Sequence, residues 1–134
     1  DIILPTRGTS RAMAYDFYAN KDYTVEPGEI AKVWTDVKSY MGDTECLVLN
    51  VRSSMGGKFM LANTSGWIDA DYYENESNDG HFYFQYYNFG TEELIVKKGD
   101  VIGQVIFQKY LTIDDDKSAG IRTGGFGSTD TQNK

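Results

Sequence analysis

Residues 63–72 read Asn-Thr-Ser-Gly-Trp-Ile-Asp-Ala-Asp-Tyr, and the rest of the chain can be interpreted outward from this stretch. An apolar run, Phe59–Ala62, precedes it and an aromatic run follows it, which predicts a tight β-hairpin around a turn with an amide, two hydroxyls and a glycine. Strand alternation places Ile68 and Asp69 on opposite faces, and a regular strand returns Tyr72 to the face of Ile68. The hairpin suits a small planar ligand read by backbone groups, although a solvated polar tip remains the alternative.

The remaining pattern is typical of an all-β protein. Short strand-like segments recur at near-regular spacing, separated by Gly, Asp and Asn turns, which indicates a β-sandwich or barrel. A short helical turn is expected only at 52–58, where two glycines would end it. The other predicted strands are 12–19, 30–37, 46–51, 81–87, 93–96 and 101–110.

Composition narrows the function further. The 134 residues predict one domain, and a net charge of −7 disfavours nucleic-acid binding. The single Cys46 excludes an intrachain disulfide and fits the reducing cytoplasm, and no apolar run is long enough to span a membrane. His81 is the only histidine, so a histidine-based triad or metal site is disfavoured. Because the sequence does not begin with Met, a short N-terminal piece is expected before Asp1.

One polar segment and two single polar residues are candidates for binding a phosphate, a water or a cation. Arg52-Ser53-Ser54 offers a guanidinium, two hydroxyls and turn N–H groups, which suit a phosphate, or it is a surface loop with capping serines. Gln104 interrupts an apolar strand, so it either holds a ligand or water or faces outward on an edge. Asp16 could hold a divalent cation directly or through water, or be a solvated strand residue.

The tail 114–134 has almost no apolar residues and is expected to be mobile by itself. Its segment 122–129, Arg-Thr-Gly-Gly-Phe-Gly-Ser-Thr, favours a ligand-wrapping arm, because Gly allows close backbone approach and Phe126 supplies a stacking face. Arg122, Ser128 and Thr129 supply phosphate donors. The alternative is a flexible Gly/Ser tail.

Taken in order, five motifs resemble the trimeric dUTPase family (dUTP diphosphatases), from about Leu4 to Thr129. They are SRAMAYDFYA at 10–19, VRSS at 51–54, NTSGWIDADY at 63–72, KGDVIGQVIF at 98–107 and RTGGFGST at 122–129. The ending and the aromatic-rich middle are most similar to members from phages of Gram-positive bacteria, which implies a host-cytoplasm location.

The resemblance implies a jelly-roll-like β fold and a homotrimer with three interface active sites. It divides the chain into a β core, 1–113, and a C-terminal arm, 114–134, exchanged between subunits. The hairpin motif would come from one chain, the first, second and fourth motifs from a neighbour, and the arm from the third. The implied reaction converts dUTP and water to dUMP and pyrophosphate with Mg²⁺.

The resemblance also assigns roles to single residues. Asp69 would act as general base and bind the 3′-hydroxyl, and Tyr72 would lie under the deoxyribose, leaving no room for a 2′-hydroxyl. Gln104 would lie near the α-phosphate and the attacking water, and Asp16 would hold Mg²⁺ through water. The remaining implied substrate contacts are Arg52, Ser53 and Ser54 on phosphate, Asn63, Gly66 and Ile68 at the uracil edge, Phe126 on the uracil ring, and Arg122, Gly127, Ser128 and Thr129 in the phosphate-gripping arm.

The chain departs from the family pattern in three places. Val51 stands where proline is usual, one residue is missing between Arg122 and the Gly-Gly-Phe sequence, and an insertion of about six residues lies at 74–80. The insertion would cap the trimer or the site, or bind a regulatory protein. The rival functions are a dCTP deaminase-like enzyme of the same fold and a non-enzymatic protein-binding jelly roll.

Overall fold

The computed structural model describes residues 2–55, 57 and 59–121, and its regular secondary structure is almost entirely β-strand. Two short 3₁₀ turns, Ser53–Met55 and Ala70–Tyr72, interrupt the strands. The strands are β1 (Tyr15–Tyr18), β2 (Tyr23–Val25), β3 (Ile30–Trp34), β4 (Glu45–Asn50), β5 (Met60–Leu61), β6 (Gly66–Ile68), β7 (Tyr83–Tyr87), β8 (Leu94–Val96) and β9 (Val101–Lys109). The all-β prediction is therefore confirmed.

The strands form three antiparallel sheets. The largest has the order β1-β9-β4-β6, a second has the order β3-β7-β5, and β2 pairs with β8. Phe17 of the four-stranded sheet packs on Phe82 and Phe84, with ring centroids 5.9 and 6.2 Å apart. The core thus lies between the two larger sheets, as in a β-sandwich.

The two larger sheets lie close together at Gly103 of β9. A Cβ atom there would lie 2.3 Å from the Phe84 ring and 2.9 Å from the carbonyl oxygen of Asn50. Nearby, the buried Tyr86 hydroxyl donates to the carbonyl oxygen of Ile102. Burial raises the pKa of Tyr86, so this hydroxyl remains a donor at physiological pH. These contacts fix β9, which carries Gln104, against the second sheet.

The predicted hairpin around residues 63–72 is wrong. β5 pairs with β7, whereas β6 pairs with β4, so the chain crosses from one sheet to the other between Leu61 and Gly66. Leu61 and Ile68 are both buried in the same core, but they belong to different sheets. A local hydrophobic pattern marks two strands but does not identify their partners.

The strand after the crossing is also shorter than predicted. A regular strand was predicted to continue to Tyr72. Instead, β6 ends at Ile68 and the 3₁₀ turn Ala70–Tyr72 follows. The other helical turn, Ser53–Met55, confirms the one expected within 52–58. In the parts of the chain that are described, no helix has the length and apolarity needed to cross a bilayer.

Candidate functional site

One end of the four-stranded sheet carries a row of polar side chains. Asp16 of β1 pairs in register with Gln104 of β9, and Gln104 pairs with Asn50 of β4. Residues directly opposite on neighbouring strands share a sheet face, so all three lie on the outer face, away from the core. Gln104 therefore faces outward, as in the alternative to a ligand-holding role, but β9 is a central strand and Gln104 does not lie on an edge.

Arg52 joins this row from the end of β4. Its Nε lies 3.5 Å from Oδ1 of Asp16, whose side chain is 19% exposed. A 3₁₀ turn follows, closed by the Met55 N–H donating to the Arg52 carbonyl at 2.9 Å, and it leaves Ser53 and Ser54 exposed beside the guanidinium. Asp16, Arg52 and Gln104 line an open cavity of about 290 Å³. We call this group, with the two serines, the phosphate end.

Asn50 continues the row to the strand crossing. Its Nδ2 donates to Oγ of Ser65 at 2.8 Å, which connects the phosphate end to the start of β6. Asn50 is not among the residues predicted from the sequence. The signal that could have found it is a polar residue closing an otherwise apolar strand, the same kind of signal that drew attention to Gln104.

Asp69 lies at the other end of the same sheet face. It directly follows β6 and keeps extended geometry, with φ −73° and ψ 157°. Since Ile68 pairs with Leu47, Asp69 lies beside Cys46. Burial raises the pKa of the Cys46 thiol, and the charge of Asp69 raises it further, as expected for neighbours. Asp69 opens into a cleft of about 1010 Å³, which we call the Asp69 cleft.

The two ends are too far apart to act on one atom within a single chain. Cys46 and Asn50 are four residues apart on β4, and Asp69 and Gln104 lie on the strands to either side. At about 3.4 Å per residue and 4.8 Å per strand, the separation of Asp69 and Gln104 is about 17 Å. A general base must come within about 3 Å of the proton that it removes. The structure therefore brings Asp16, Arg52 and Gln104 together but leaves Asp69 apart from them.

Between the two ends, β6 offers backbone groups along an edge of the sheet. The Ile68 side chain is 1% exposed and faces the core, so this residue can contribute only its backbone outward. Gly66 is buried against Leu49, and a Cβ atom there would lie 3.2 Å from the Leu49 Cβ. Asn63 is exposed on the crossing segment. An unpaired strand edge with a glycine is suited to backbone recognition of a planar, hydrogen-bonding group.

Tyr72 is part of the core as well as a neighbour of Asp69. Its side chain is 1% exposed, and its ring stacks on Phe82 with centroids 6.2 Å apart. The Tyr72 N–H donates to the Asp69 carbonyl at 3.1 Å, so the 3₁₀ turn fixes the spacing of the two residues. Its place under a sugar stays a prediction.

The arm is described only at its start. Ser118 and Gly120 line the Asp69 cleft of the same chain, together with the aromatic pair Tyr40 and Tyr73, whose ring centroids are 5.7 Å apart. This pair is not predicted from the sequence, because no local pattern relates residues so far apart. The predicted arm residues, Arg122, Phe126, Gly127, Ser128 and Thr129, lie outside the described residues, and exchange of the arm between subunits stays a prediction.

The chain is similar in sequence to one protein family over almost its whole length. A family model described as dUTPase matches residues 1–130. The deoxyuridine 5′-triphosphate nucleotidohydrolase of Lactococcus lactis is 40% identical over 132 residues, which cover 96% of this chain and 88% of the relative. The human mitochondrial protein of the same name is 39% identical over 132 residues, covering 93% of this chain and 49% of the relative.

Solved structures agree with the sequence matches. The dUTPase of Streptococcus mutans superimposes with a TM-score of 0.79 at 36% identity, covering 83% of this chain and 88% of the other. The phage φ11 dUTPase from S. aureus, described with a structural Mg(II) ion, has a TM-score of 0.72 at 18% identity, covering 89% and 91%. The latter supports the fold alone.

Proposed function

The chain belongs to the dUTPase family and is a dUTP diphosphatase, and we propose that the core of each active site is assembled from two copies of the chain, to which the arm of the third is added. It hydrolyses dUTP to dUMP and pyrophosphate. The observation that carries the proposal is the separation of about 17 Å between Asp69 and Gln104 on one sheet face. A base and the groups around the reacting phosphate have to meet, so the Asp69 cleft of one chain would face the phosphate end of a neighbour.

A homotrimer satisfies this requirement with three equivalent sites. When each copy gives its Asp69 to one neighbour and its phosphate end to the other, the contact is head-to-tail and closes into a ring. The outer sheet face carries the apolar surface for such a contact, because Trp67 is 52% exposed there and lies in register with Val48 and Ile106. The family resemblance independently implies the same trimer.

The phosphate end would hold the triphosphate and the reacting centre. Arg52 offers a guanidinium next to the exposed hydroxyls of Ser53 and Ser54, and these donors suit phosphate oxygens. Gln104 would contact the α-phosphate and the attacking water. Asp69 of the neighbouring chain would accept a proton from this water and orient it for in-line attack. Preorganised donors and positioning supply most of the acceleration in such a reaction.

The strand edge of β6 would identify the base and the sugar. Backbone groups of Gly66 and Ile68, with the exposed Asn63, would pair with the uracil edge, and a close fit would exclude a 5-methyl group. Cytosine would be rejected because its donors and acceptors do not match the backbone groups. Tyr72 would lie under the deoxyribose, where a 2′-hydroxyl would overlap with it.

Mg²⁺ suits the phosphate end as an ion carried by the substrate. The described residues contain no cluster of three or more His, Cys, Asp or Glu side chains that could hold a metal alone. Asp16 is a single, partly exposed carboxylate beside Arg52, and Mg²⁺ usually combines one or two carboxylates with waters and substrate phosphates. Asp16 would hold it through water. When bound, the ion would neutralise charge on the triphosphate, which a protein of net charge −7 requires.

The arm would complete the site. Phe126 would stack on uracil, and Arg122, Gly127, Ser128 and Thr129 would contact the terminal phosphates and exclude water on closing. We place the enzyme in the cytoplasm, where its buried Cys46 would remain a thiol.

The test is pyrophosphate release from dUTP, dCTP, dTTP and UTP, with Mg²⁺ and with a chelator. We expect rapid release from dUTP alone and loss of release when Mg²⁺ is chelated. Asp69→Asn should lower turnover by about 10²–10⁴-fold while nucleotide binding persists, because the amide cannot accept the proton. Release from every nucleotide alike, or substantial turnover by Asp69→Asn, would contradict the assignment.

A further inference from the structure

The insertion after Tyr72 is a compact, hydrogen-bonded loop. Asn75 lies at its centre and is 6% exposed. Its Oδ1 accepts from the N–H groups of Ser77 and Asn78 at 3.0 and 3.1 Å, and its Nδ2 donates to Asn78 Oδ1 at 2.8 Å. A buried amide whose donors and acceptors are all occupied fixes a loop in one conformation.

Lys38 ties the outside of this loop to the segment after β3. Its ammonium contacts Glu74 and Asp79 at 2.8 and 3.0 Å. These two carboxylates raise the pKa of Lys38, so it remains charged throughout the physiological range. Gly80 closes the loop at φ +80°, where a Cβ atom would lie 2.6 Å from the Glu74 nitrogen and 2.9 Å from the Tyr72 carbonyl oxygen. The loop is therefore built tightly onto the preceding residues.

The contacts of the loop converge on Tyr72. Asn75 Nδ2 donates to the Tyr72 backbone carbonyl at 2.8 Å. Asn78 Nδ2 donates to Tyr72 Oη at 2.8 Å, and Oη in turn donates to the carbonyl oxygen of His81 at 3.1 Å. Asn75 thus holds the Tyr72 backbone. Asn78, together with His81 just after the insertion, holds the far end of the Tyr72 side chain.

We propose that Asn75 and Asn78 are positioning residues that hold the Tyr72 ring and so set the enzyme's discrimination between deoxyribose and ribose. This inference rests on the proposed place of Tyr72 under the sugar. It gives the insertion a role inside the active site, in place of the cap or regulatory-partner roles that the sequence left open.

The physical reason is that the Tyr72 ring can exclude a 2′-hydroxyl only if the ring is held rigidly in place. A 2′-hydroxyl adds one oxygen, and a ring displaced by a few tenths of an ångström would admit it. Phe82 packs on the ring face but does not fix how the ring slides in its plane. The bonds at Oη do fix this, because they hold the ring at the end farthest from the backbone. Removing one of them should relax discrimination more than it slows dUTP hydrolysis.

The test compares kcat/KM for dUTP and UTP in four proteins. They are Asn78→Ala, which removes the donor to Oη and also the Oδ1 acceptor for Asn75 and Gly80; Tyr72→Phe, which keeps the ring and removes Oη; the double variant; and Ser77→Ala as a matched control. Ser77 Oγ contacts Asn75 Oδ1 at 3.1 Å in the same loop, and its backbone N–H, which is retained, makes the other contact to that oxygen.

We expect Asn78→Ala to raise the UTP/dUTP ratio of kcat/KM by about tenfold, the factor that 1.4 kcal/mol represents. Tyr72→Phe should raise the ratio at least as much. The double variant should fall well short of the product of the two single effects, because Asn78 acts in part through Oη. Ser77→Ala should keep the wild-type ratio. Asn78→Ala should change the ratio mainly through KM for UTP, whereas a loss of folded protein would lower kcat for both nucleotides together.

An unchanged ratio in Asn78→Ala, or full additivity with Tyr72→Phe, would overturn the positioning role. If Asn78→Ala fails to fold, Tyr72→Phe still decides the matter, since it leaves the loop's own bonds in place. A wild-type protein that does not hydrolyse dUTP would instead refute the proposed function, so the two failures are distinguishable.

Discussion

Mixing two inactive variants should restore activity if each active site draws on two chains. Asp69→Asn removes the base at one end of the sheet, and Gln104→Ala removes the amide at the other, about 17 Å away in the same chain. Each variant alone should be nearly inactive. In mixed trimers, a site becomes competent when its cleft comes from a Gln104→Ala chain and its phosphate end from an Asp69→Asn chain.

The expected recovery follows from chance assembly. With equal amounts of the two chains, each condition is met in half of the cases, so about a quarter of the sites should be intact in a head-to-tail ring. Specific activity should therefore reach about a quarter of the wild-type value. Co-expressing the two chains with different tags, purifying through both tags and measuring pyrophosphate release gives this value, once it is corrected for the trimers that the tags select.

The register of the sheet supplies a matched control. Asp16 and Gln104 are directly paired on β1 and β9, so both belong to the phosphate end. A mixture of Asp16→Ala and Gln104→Ala should therefore stay as inactive as its components, because every site lacks one of the two. Absence of recovery with Asp69→Asn and Gln104→Ala, in a sample shown by native mass spectrometry to contain mixed trimers, would refute the shared site.

Three further predictions concern packing, the arm and pH. Gly103→Ala should destabilise the protein by about 1–3 kcal/mol and lower Tm by roughly 3–10 °C, because its Cβ would lie 2.3 Å from a core ring, whereas Gly8→Ala, with nothing within 4 Å, should leave Tm unchanged. Truncation after Lys117 should keep the trimer folded by size-exclusion chromatography but almost abolish turnover; full activity would rule out arm closure. The Glu93 side chain, hydrogen-bonded to Glu26, raises the pKa of the Glu26 carboxyl, so ionising Glu26 costs stability above that pKa and the cost vanishes as pH falls. Glu26→Gln should therefore raise Tm at pH 7 but not below about pH 4, and an equal gain at both pH values would contradict this account.

The local pattern of the chain identified most of the strands, although not β2 at Tyr23–Val25, and it did not identify their partners. Alternation and turn residues identified the strand at 46–51 and the one at 101–110, which the structure gives as Glu45–Asn50 and Val101–Lys109. The same rules joined β5 and β6 into a hairpin because the two runs are adjacent in sequence. In fact, each run completes a different sheet, and this choice depends on which distant strands can bury Leu61 and Ile68.

By itself, the sequence determined the all-β class and identified polar residues such as Asp16 and Gln104 as unusual in their strands. These properties can be seen locally, because a polar residue within an apolar strand stands out from its neighbours. Such a residue destabilises the fold if it is buried without a hydrogen-bond partner. Only the tertiary structure decided that Asp16 and Gln104 share a row, that Asp69 lies at the far end of the same face, and that the insertion holds Tyr72. The reason is that register and loop closure depend on contacts between residues far apart in the chain, which no local pattern encodes.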